Sequence, residues 1–166
     1  MTVYSCSKKF KVLFILLSVA IIVFAFWHST QDSETSSGKS EGFLLFLQNI
    51  LSAVGIKVEI SEHFIRKAAH FTEYTGLGAM MMCSAFTFDK LRPYRYYFNL
   101  LFVGLATAVC DEAIQLNVPG RAGLVTDVIL DFSGVLFGSL VMLVIFLLYK
   151  RRFIKKSTKI RKEYLS

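Results

Sequence analysis

Long apolar runs alternate with short polar segments along most of the chain. Four of the runs approach or exceed the length of about 20 residues that a membrane-spanning helix needs. They occupy residues 12–27, 64–88, 96–115 and 124–149. The pattern predicts an all-α polytopic membrane protein whose four-helix transmembrane domain covers residues 12–149.

A fifth apolar segment, residues 43–60, differs from these runs. It is interrupted by Gln48, Asn49 and Gly55 and is short for a span. We predict an interfacial or re-entrant amphipathic helix here, within an outer loop of residues 28–63. If it crossed the bilayer, every later segment would reverse its direction and the charge asymmetry described below would be lost.

The first run follows a short basic tail, residues 1–11, that contains Lys8, Lys9 and Lys11. Basic residues before an apolar run are also typical of a cleaved signal peptide. Cleavage needs small residues, whereas this run ends in bulky aromatic residues around Trp27. We therefore predict a retained helix.

The distribution of basic residues predicts the orientation of the helices. Fourteen of the nineteen Lys and Arg residues lie in the N-terminal tail, in the connection between the second and third runs, or in the C-terminal tail of residues 150–166. Cytoplasmic segments carry such an excess of positive charge. We therefore predict that both termini lie in the cytoplasm.

Composition narrows the function classes. Hydrophobic residues make up 54% of the chain and charged residues 19%, which argues against a soluble enzyme. The net charge of +7 is confined to short groups beside apolar runs, so no nucleic-acid surface is expected. The three cysteines have no metal-ligand spacing and predict no disulfide framework.

Polar residues inside or beside the apolar runs are the candidates for a functional site. A charge at mid-membrane costs from a few to roughly 10 kcal/mol, so such residues need partners. On the predicted topology they all lie at the outer level, where one cavity between three helices would collect them. The predicted ligand-binding residues are Arg66, Lys67, His70, Glu73, Tyr74, Asp111, Glu112, Gln115, Arg121, Asp127 and Asp131.

The connection between the third and fourth runs contains Pro119-Gly120, a turn signal, followed by Arg121. It predicts antiparallel neighbouring helices with Arg121 held over the cavity as a lid or an anion clamp. The alternative is that the polar residues only tie helices together. We favour function, because interhelical polar contacts contribute little, and Gly134 and Gly138 already provide a small-residue packing face.

Several strings at these positions resemble the VanZ-like family of bacterial membrane proteins. They are His70-Phe71-Thr72-Glu73-Tyr74, Asp111-Glu112-Ala113-Ile114-Gln115, Pro119-Gly120-Arg121 and Asp127 to Asp131, in that order. Some relatives carry Asn where Asp131 stands. The resemblance implies a polytopic plasma-membrane protein associated, like the family's named representative, with teicoplanin resistance.

Three functions remain open from the sequence. The first is a non-enzymatic envelope factor that binds membrane lipid, a lipid-linked cell-wall precursor or a lipoglycopeptide. The second is an intramembrane enzyme acting on a lipid or precursor head group, with His70, Glu73, Asp111 and Glu112 as the candidate acid and base residues. The third is an ion pathway, which the confinement of the acids to the outer half disfavours. No cofactor is predicted, and the spacing does not indicate a metal, although several acids and one His can hold a divalent cation.

Overall fold

The computed structural model describes residues 6–31 and 61–163, with the side chains of residues 6–31, 61 and 63–151. Its helices are α1 (Lys8–Ser29), α2 (Glu62–Phe88), α3 (Tyr97–Gln115) and α4 (Val125–Glu163), with a 3₁₀ turn at Pro93–Tyr96 before α3. The all-α prediction is confirmed for this part of the chain. The predicted helix at residues 43–60 and most of its loop lie outside the described residues.

Side-chain caps explain both ends of α2. Ser61 precedes the helix, and its Oγ accepts a hydrogen bond from the amide of Phe64 at 3.3 Å, satisfying a free N–H of the first turn. Asp89 follows the helix, and its Oδ1 accepts hydrogen bonds from the amides of Leu91 and Arg92, both at 3.0 Å. The chain therefore reverses before Pro93 opens the 3₁₀ turn.

A tight turn joins α3 to α4. The carbonyl of Val118 accepts a hydrogen bond from the amide of Arg121 at 3.2 Å, and Pro119 and Gly120 are the central residues. Gly120 has φ of 75°, a conformation that side chains other than glycine rarely adopt. The Pro-Gly pair thus has the chemistry of a type II turn, and it fixes Arg121 beside the start of α4.

Helices α2 and α4 form the most extensive contact of the bundle. Gly134 and Gly138 let the two backbones meet: a Cβ on Gly134 would lie 2.7 Å from the carbonyl oxygen of Phe71, and one on Gly138 would overlap that of Thr75. The core is built mainly from α2, α3 and α4. It consists of Tyr74, Leu77, Met82, Ala85, Leu100, Ala108 and Val135.

The outer surface of the bundle is strongly apolar. Phe98 and Phe102 on α3 are 83% and 73% exposed, which suits a lipid environment. Within the described residues, three helical segments are long and apolar enough to cross a membrane: Lys8–Ser29, Pro93–Gln115 and Val125–Arg151, with mean hydropathies of 2.6, 1.4 and 2.4. By length and hydropathy, the chain is a multi-pass membrane protein.

Two helices depart from the predicted segments. Helix α2 has 27 residues, enough to span, but it is less apolar than the three segments above, because polar residues and glycines are distributed along it. Helix α4 continues past the predicted end at residue 149 and through the basic tail to Glu163. Lys and Arg favour helix, and neither Pro nor Gly follows Gly138, so nothing in the tail ends the helix.

Candidate functional site

The ends of four helices bring the candidate residues together. The last turn of α1, the first turns of α2, the last turns of α3 and the first turns of α4 meet at one end of the bundle, which we call the cavity end. At its centre, His70 of α2 faces one carboxylate from α3 and one from α4. Its Nδ1 lies 4.0 Å from Oδ2 of Asp111 and 3.8 Å from Oδ1 of Asp131.

Both carboxylates in this cluster are fully enclosed. Asp111 is 0% and Asp131 1% exposed, and the His70 side chain is 12% exposed. Asp111 Oδ1 and both carboxylate oxygens of Asp131 form no hydrogen bond. Buried carboxyl oxygens normally accept hydrogen bonds, so this centre concentrates buried acceptors that have no donor.

Gln115 anchors the α3 side of the cluster. Its Nε2 donates to Oδ2 of Asp111 at 3.3 Å, one turn earlier on the same helix, and to Oγ of Ser29 at 3.2 Å. Ser29 is the last residue of α1 and is fully buried. A chain of polar contacts therefore fixes the orientation of Asp111 from the end of α1.

Helix α1 also contributes His28. Its ring stacks on that of His70 with centroids 5.6 Å apart, and its Nδ1 lies 3.8 Å from Oε2 of Glu73. The contact connects Glu73 of α2 with the end of α1. The first helix is therefore part of the site.

A cavity of about 210 Å³ opens beside the cluster. Basic side chains line much of it, and Lys67 donates across it to Oδ1 of Asp127 at 2.9 Å. The cavity is lined by His63, Arg66, Lys67, His70, Glu112, Gln115, Gly120, Arg121, Ala122, Leu124, Asp127, Leu130 and Asp131. Arg121, carried by the Pro-Gly turn, is thus beside the cavity, as a lid or clamp requires.

The remaining predicted residues have other surroundings. Oε2 of Glu112 accepts a hydrogen bond from the amide of Leu124 at 2.9 Å, just before α4 begins. Tyr74 is 1% exposed and belongs to the core, with its hydroxyl unbonded. Eight of the eleven predicted residues line the cavity, and the other three, Glu73, Tyr74 and Asp111, do not.

The sequence argument missed three residues near the cavity. They are His28 and Ser29, which directly follow the first apolar run, and His63, which precedes the second. The signal was present, because the last turn of the first span lies at the same level as the polar turns of the other helices on the predicted topology. Only the packing of α1 against α2 shows which side chains meet.

Comparison with known proteins gives the family. The family model described as VanZ/LLP1 matches residues 12–148. The chain belongs to the VanZ/LLP1 family. No curated protein and no solved structure matches it.

The VanZ/LLP1 match confirms the resemblance predicted from the polar strings. It begins inside α1 and ends within α4, so it includes every residue of the cluster and the cavity. The basic end of α4 lies beyond it. In this VanZ/LLP1 protein the arrangement offers three kinds of chemistry: basic side chains for an anion, an imidazole beside carboxylates for proton transfer, and nitrogen and oxygen donors for a cation.

Proposed function

We propose that this VanZ/LLP1 protein binds the anionic head group of an amphiphile in a cavity facing the outside of a bacterial plasma membrane. In this proposal all four helices span, with both termini in the cytoplasm. The location of the basic residues supports it: fourteen of nineteen belong to segments at the end opposite the cavity. The interhelical packing of α2 supports its role as a span, since its polar turns contact other helices instead of lipid.

The observation that carries the proposal is the set of cations around the cavity. Arg66, Lys67 and Arg121 line it together. Guanidinium groups bind phosphate and carboxylate through paired hydrogen bonds, and lysine adds a point charge. The cavity therefore offers an anion more than one charge-assisted contact in a place that lipid partly shields from water.

The size of the cavity indicates which part of a ligand enters. Sites for whole drug-sized molecules have about 300–1,000 Å³, and this one has about 210 Å³. A phosphate or carboxylate group fits, and the apolar remainder would lie along the lipid-facing helices. A lipid-linked cell-wall precursor or an acylated glycopeptide has this division into head and chain.

Family membership connects this binding to the cell envelope. We infer a contribution to resistance against teicoplanin-type lipoglycopeptides, or to envelope homeostasis, from the association that the VanZ-like resemblance implies. Binding an amphiphile at the outer surface would reduce its free concentration or alter its presentation there.

A pair of matched probes tests the binding. The purified full chain in phosphatidylcholine nanodiscs is titrated with a polyprenyl phosphate and with the corresponding polyprenol. We expect binding of the phosphate, and an Arg121→Ala variant that binds roughly 10-fold or more weakly, because a charge-assisted hydrogen bond contributes about 1.5–3 kcal/mol. Equal affinity for the two probes would contradict the proposal.

Arg92→Ala is the matched control, because Arg92 is exposed in the connection before α3, far from the cavity. It should bind the phosphate like the unmodified chain. In cells, Arg121→Ala should lower the teicoplanin concentration that stops growth, and Arg92→Ala should leave it unchanged.

An intramembrane enzyme is the second candidate, and the position of His70 between two carboxylates favours it. A carboxylate beside an imidazole orients it and stabilises its protonated form, as acid-base catalysis requires. The test is release of inorganic phosphate from a polyprenyl diphosphate, in which water forms the new P–O bond as the bridging P–O bond breaks. Turnover that is lost in His70→Asn while binding remains would favour the enzyme over the binding protein.

A further inference from the structure

We propose that His70, Asp111 and Asp131 form a binding site for a divalent transition-metal ion. The three residues come from three different helices, so no metal-binding motif with a characteristic spacing is present in the sequence. One donor atom from each lies within 4.8 Å of the others. The assignment concerns the cation alone and does not depend on the identity of the amphiphile.

The distances suit coordination after a small adjustment. A zinc ion holds imidazole nitrogen and carboxylate oxygen at about 2.0–2.2 Å, which places neighbouring donors of a tetrahedral site roughly 3.3–3.5 Å apart. His70 Nδ1 is 4.0 Å from Asp111 Oδ2 and 3.8 Å from Asp131 Oδ1. Small side-chain rotations that shift these atoms by a few tenths of an ångström bring both oxygens and the nitrogen within coordination distance of one ion.

The hydrogen bonding of the carboxylates supplies an independent reason. Both oxygens of Asp131 and one of Asp111 are buried and accept no hydrogen bond, although the two side chains are 99% or more enclosed. Among the described residues, Asp131 has His70 as its ion-pair partner, at 3.8 Å, which is too long for a hydrogen bond. A divalent cation, whose binding displaces protons from its carboxyl ligands, gives the unbonded oxygens a partner.

The surroundings of the three donors also resemble those of metal sites. Ligating carboxylates and imidazoles are usually held by outer contacts that set their orientation. Here Gln115 donates to Asp111, and the ring of His28 stacks on His70. Two of the three donors, Asp111 and His70, are therefore oriented by neighbouring side chains of α3 and α1 before any ion binds.

The donor set selects the class of ion. One imidazole nitrogen with two carboxylate oxygens suits Zn²⁺ or Mn²⁺, whereas Mg²⁺ prefers oxygen donors alone and keeps most of its water. Three protein ligands leave a position open on the ion. His70 and Asp131 line the cavity, so that position faces the basic side chains, where an oxyanion would be bound.

Metal binding is measured directly on the full chain, with any affinity tag removed, in phosphatidylcholine nanodiscs. After treatment with a chelator, the protein is dialysed against Zn²⁺, Mn²⁺ or Mg²⁺ and its metal content is determined. We expect one Zn²⁺ or Mn²⁺ per chain. Absence of stoichiometric Zn²⁺ and Mn²⁺, or binding of Mg²⁺ only, would overturn the assignment.

Matched substitutions locate the ion. Asp111→Asn and Asp131→Asn should each weaken Zn²⁺ binding at least tenfold, because each replaces a charged ligand while preserving its shape. Asp89→Asn is the control, since Asp89 caps the connection after α2 and lies outside the cluster. Unchanged affinity in Asp131→Asn, or an equal loss in Asp89→Asn, would refute the site.

A spectroscopic measurement on the unmodified chain covers the case in which these variants fail to fold. Mn²⁺ bound to protein labelled with ¹⁵N-histidine should show hyperfine coupling to a single imidazole nitrogen in pulsed electron paramagnetic resonance. Bound Mn²⁺ without nitrogen coupling would place the ion elsewhere and refute the assignment.

Discussion

The imidazole rings of His28 and His70 stack with their centroids 5.6 Å apart, joining the end of α1 to the centre of the cavity end. The same His28 ring lies 3.8 Å from Glu73, so one residue of α1 contacts two polar residues of α2. The first helix therefore orients the site as well as anchoring the chain.

Replacing His28 with alanine should destabilise this end of the bundle. A stacked aromatic pair contributes about 0.5–1.5 kcal/mol beyond its buried area, and the variant also removes the contact with Glu73. The free energy of unfolding, measured by steric trapping in bicelles, should fall by about that amount. His63→Ala is the control, since His63 is exposed, and a loss as large as that of His28→Ala would contradict the role of the stack.

The glycine contacts between α2 and α4 predict a large effect of one methyl group. A Cβ at Gly138 would overlap the carbonyl of Thr75, which is backbone and cannot rotate away. Gly138→Ala should separate the helices and lower the free energy of unfolding by about 1–3 kcal/mol, as overpacking does. Thermal unfolding in detergent would show the change.

Gly76→Ala is the matched comparison for that prediction. Gly76 lies inside α2, but an added Cβ would have no atom within 4 Å. Alanine favours helix by about 1 kcal/mol over glycine, so this variant should be as stable as the unmodified chain or more so. If both substitutions had the same effect, the close approach of α2 and α4 would not be the cause.

Glu112 should stabilise the start of α4 through its hydrogen bond from the Leu124 amide. Glu112→Gln keeps an acceptor and should lose only the attraction to the helix dipole, about 0.3–1 kcal/mol. Glu112→Ala removes the acceptor as well and should lose about 0.5–2 kcal/mol, the usual effect of deleting a cap. Hydrogen exchange at the Leu124 amide should be faster in Glu112→Gln than in the unmodified chain, and fastest in Glu112→Ala. Faster exchange in Glu112→Gln than in Glu112→Ala would exclude the capping role of Glu112.

The Lys67–Asp127 contact predicts measurable coupling between α2 and α4. The side chains are 33% and 24% exposed, so water and salt screen the pair in part. A double-mutant cycle with Lys67→Met and Asp127→Asn should give a coupling free energy of about 0.5–1 kcal/mol, smaller at high salt. A coupling near zero at low salt would mean that the bridge does not contribute to the packing.

The proposed orientation predicts which surfaces react with a membrane-impermeant thiol reagent. In a variant without the native cysteines, Asn117→Cys in the exposed α3–α4 connection should be labelled in intact cells. Lys90→Cys, exposed at the other end of α2, should be labelled only after the membrane is opened. The opposite pattern would place the cavity at the cytoplasmic surface.

The sequence was sufficient for the helices and for the turn that carries Arg121. Apolar runs and the Pro-Gly pair are local signals, so they predicted four helices and an antiparallel α3–α4 connection that the structure contains. The basic tail was harder, because its charge indicated where a span ends but not that the helix continues to Glu163.

Contacts between helices are harder to predict from a single sequence. Helical periodicity puts Lys67, His70, Glu73 and Tyr74 on one face of α2, but this face meets different helices at successive turns. Lys67 pairs with α4, Glu73 approaches His28 of α1, and Tyr74 enters the core. The partner of each residue depends on how each helix is rotated about its axis. The spacing of residues along one helix gives no information about that rotation.

Val135 determines how much freedom the cavity end retains. Its backbone occupies the space that a side chain at Gly78 of α2 would need, and its Cγ1 lies 2.6 Å from where a Cβ at Gly104 of α3 would be. Val135 therefore packs between these two glycines, one turn after Asp131. A shift of α4 by one residue would move it about 1.5 Å along its axis and separate Val135 from both glycines. The position of Asp131 along the axis of α4, relative to His70 and Asp111, is therefore set by the packing of a single apolar side chain.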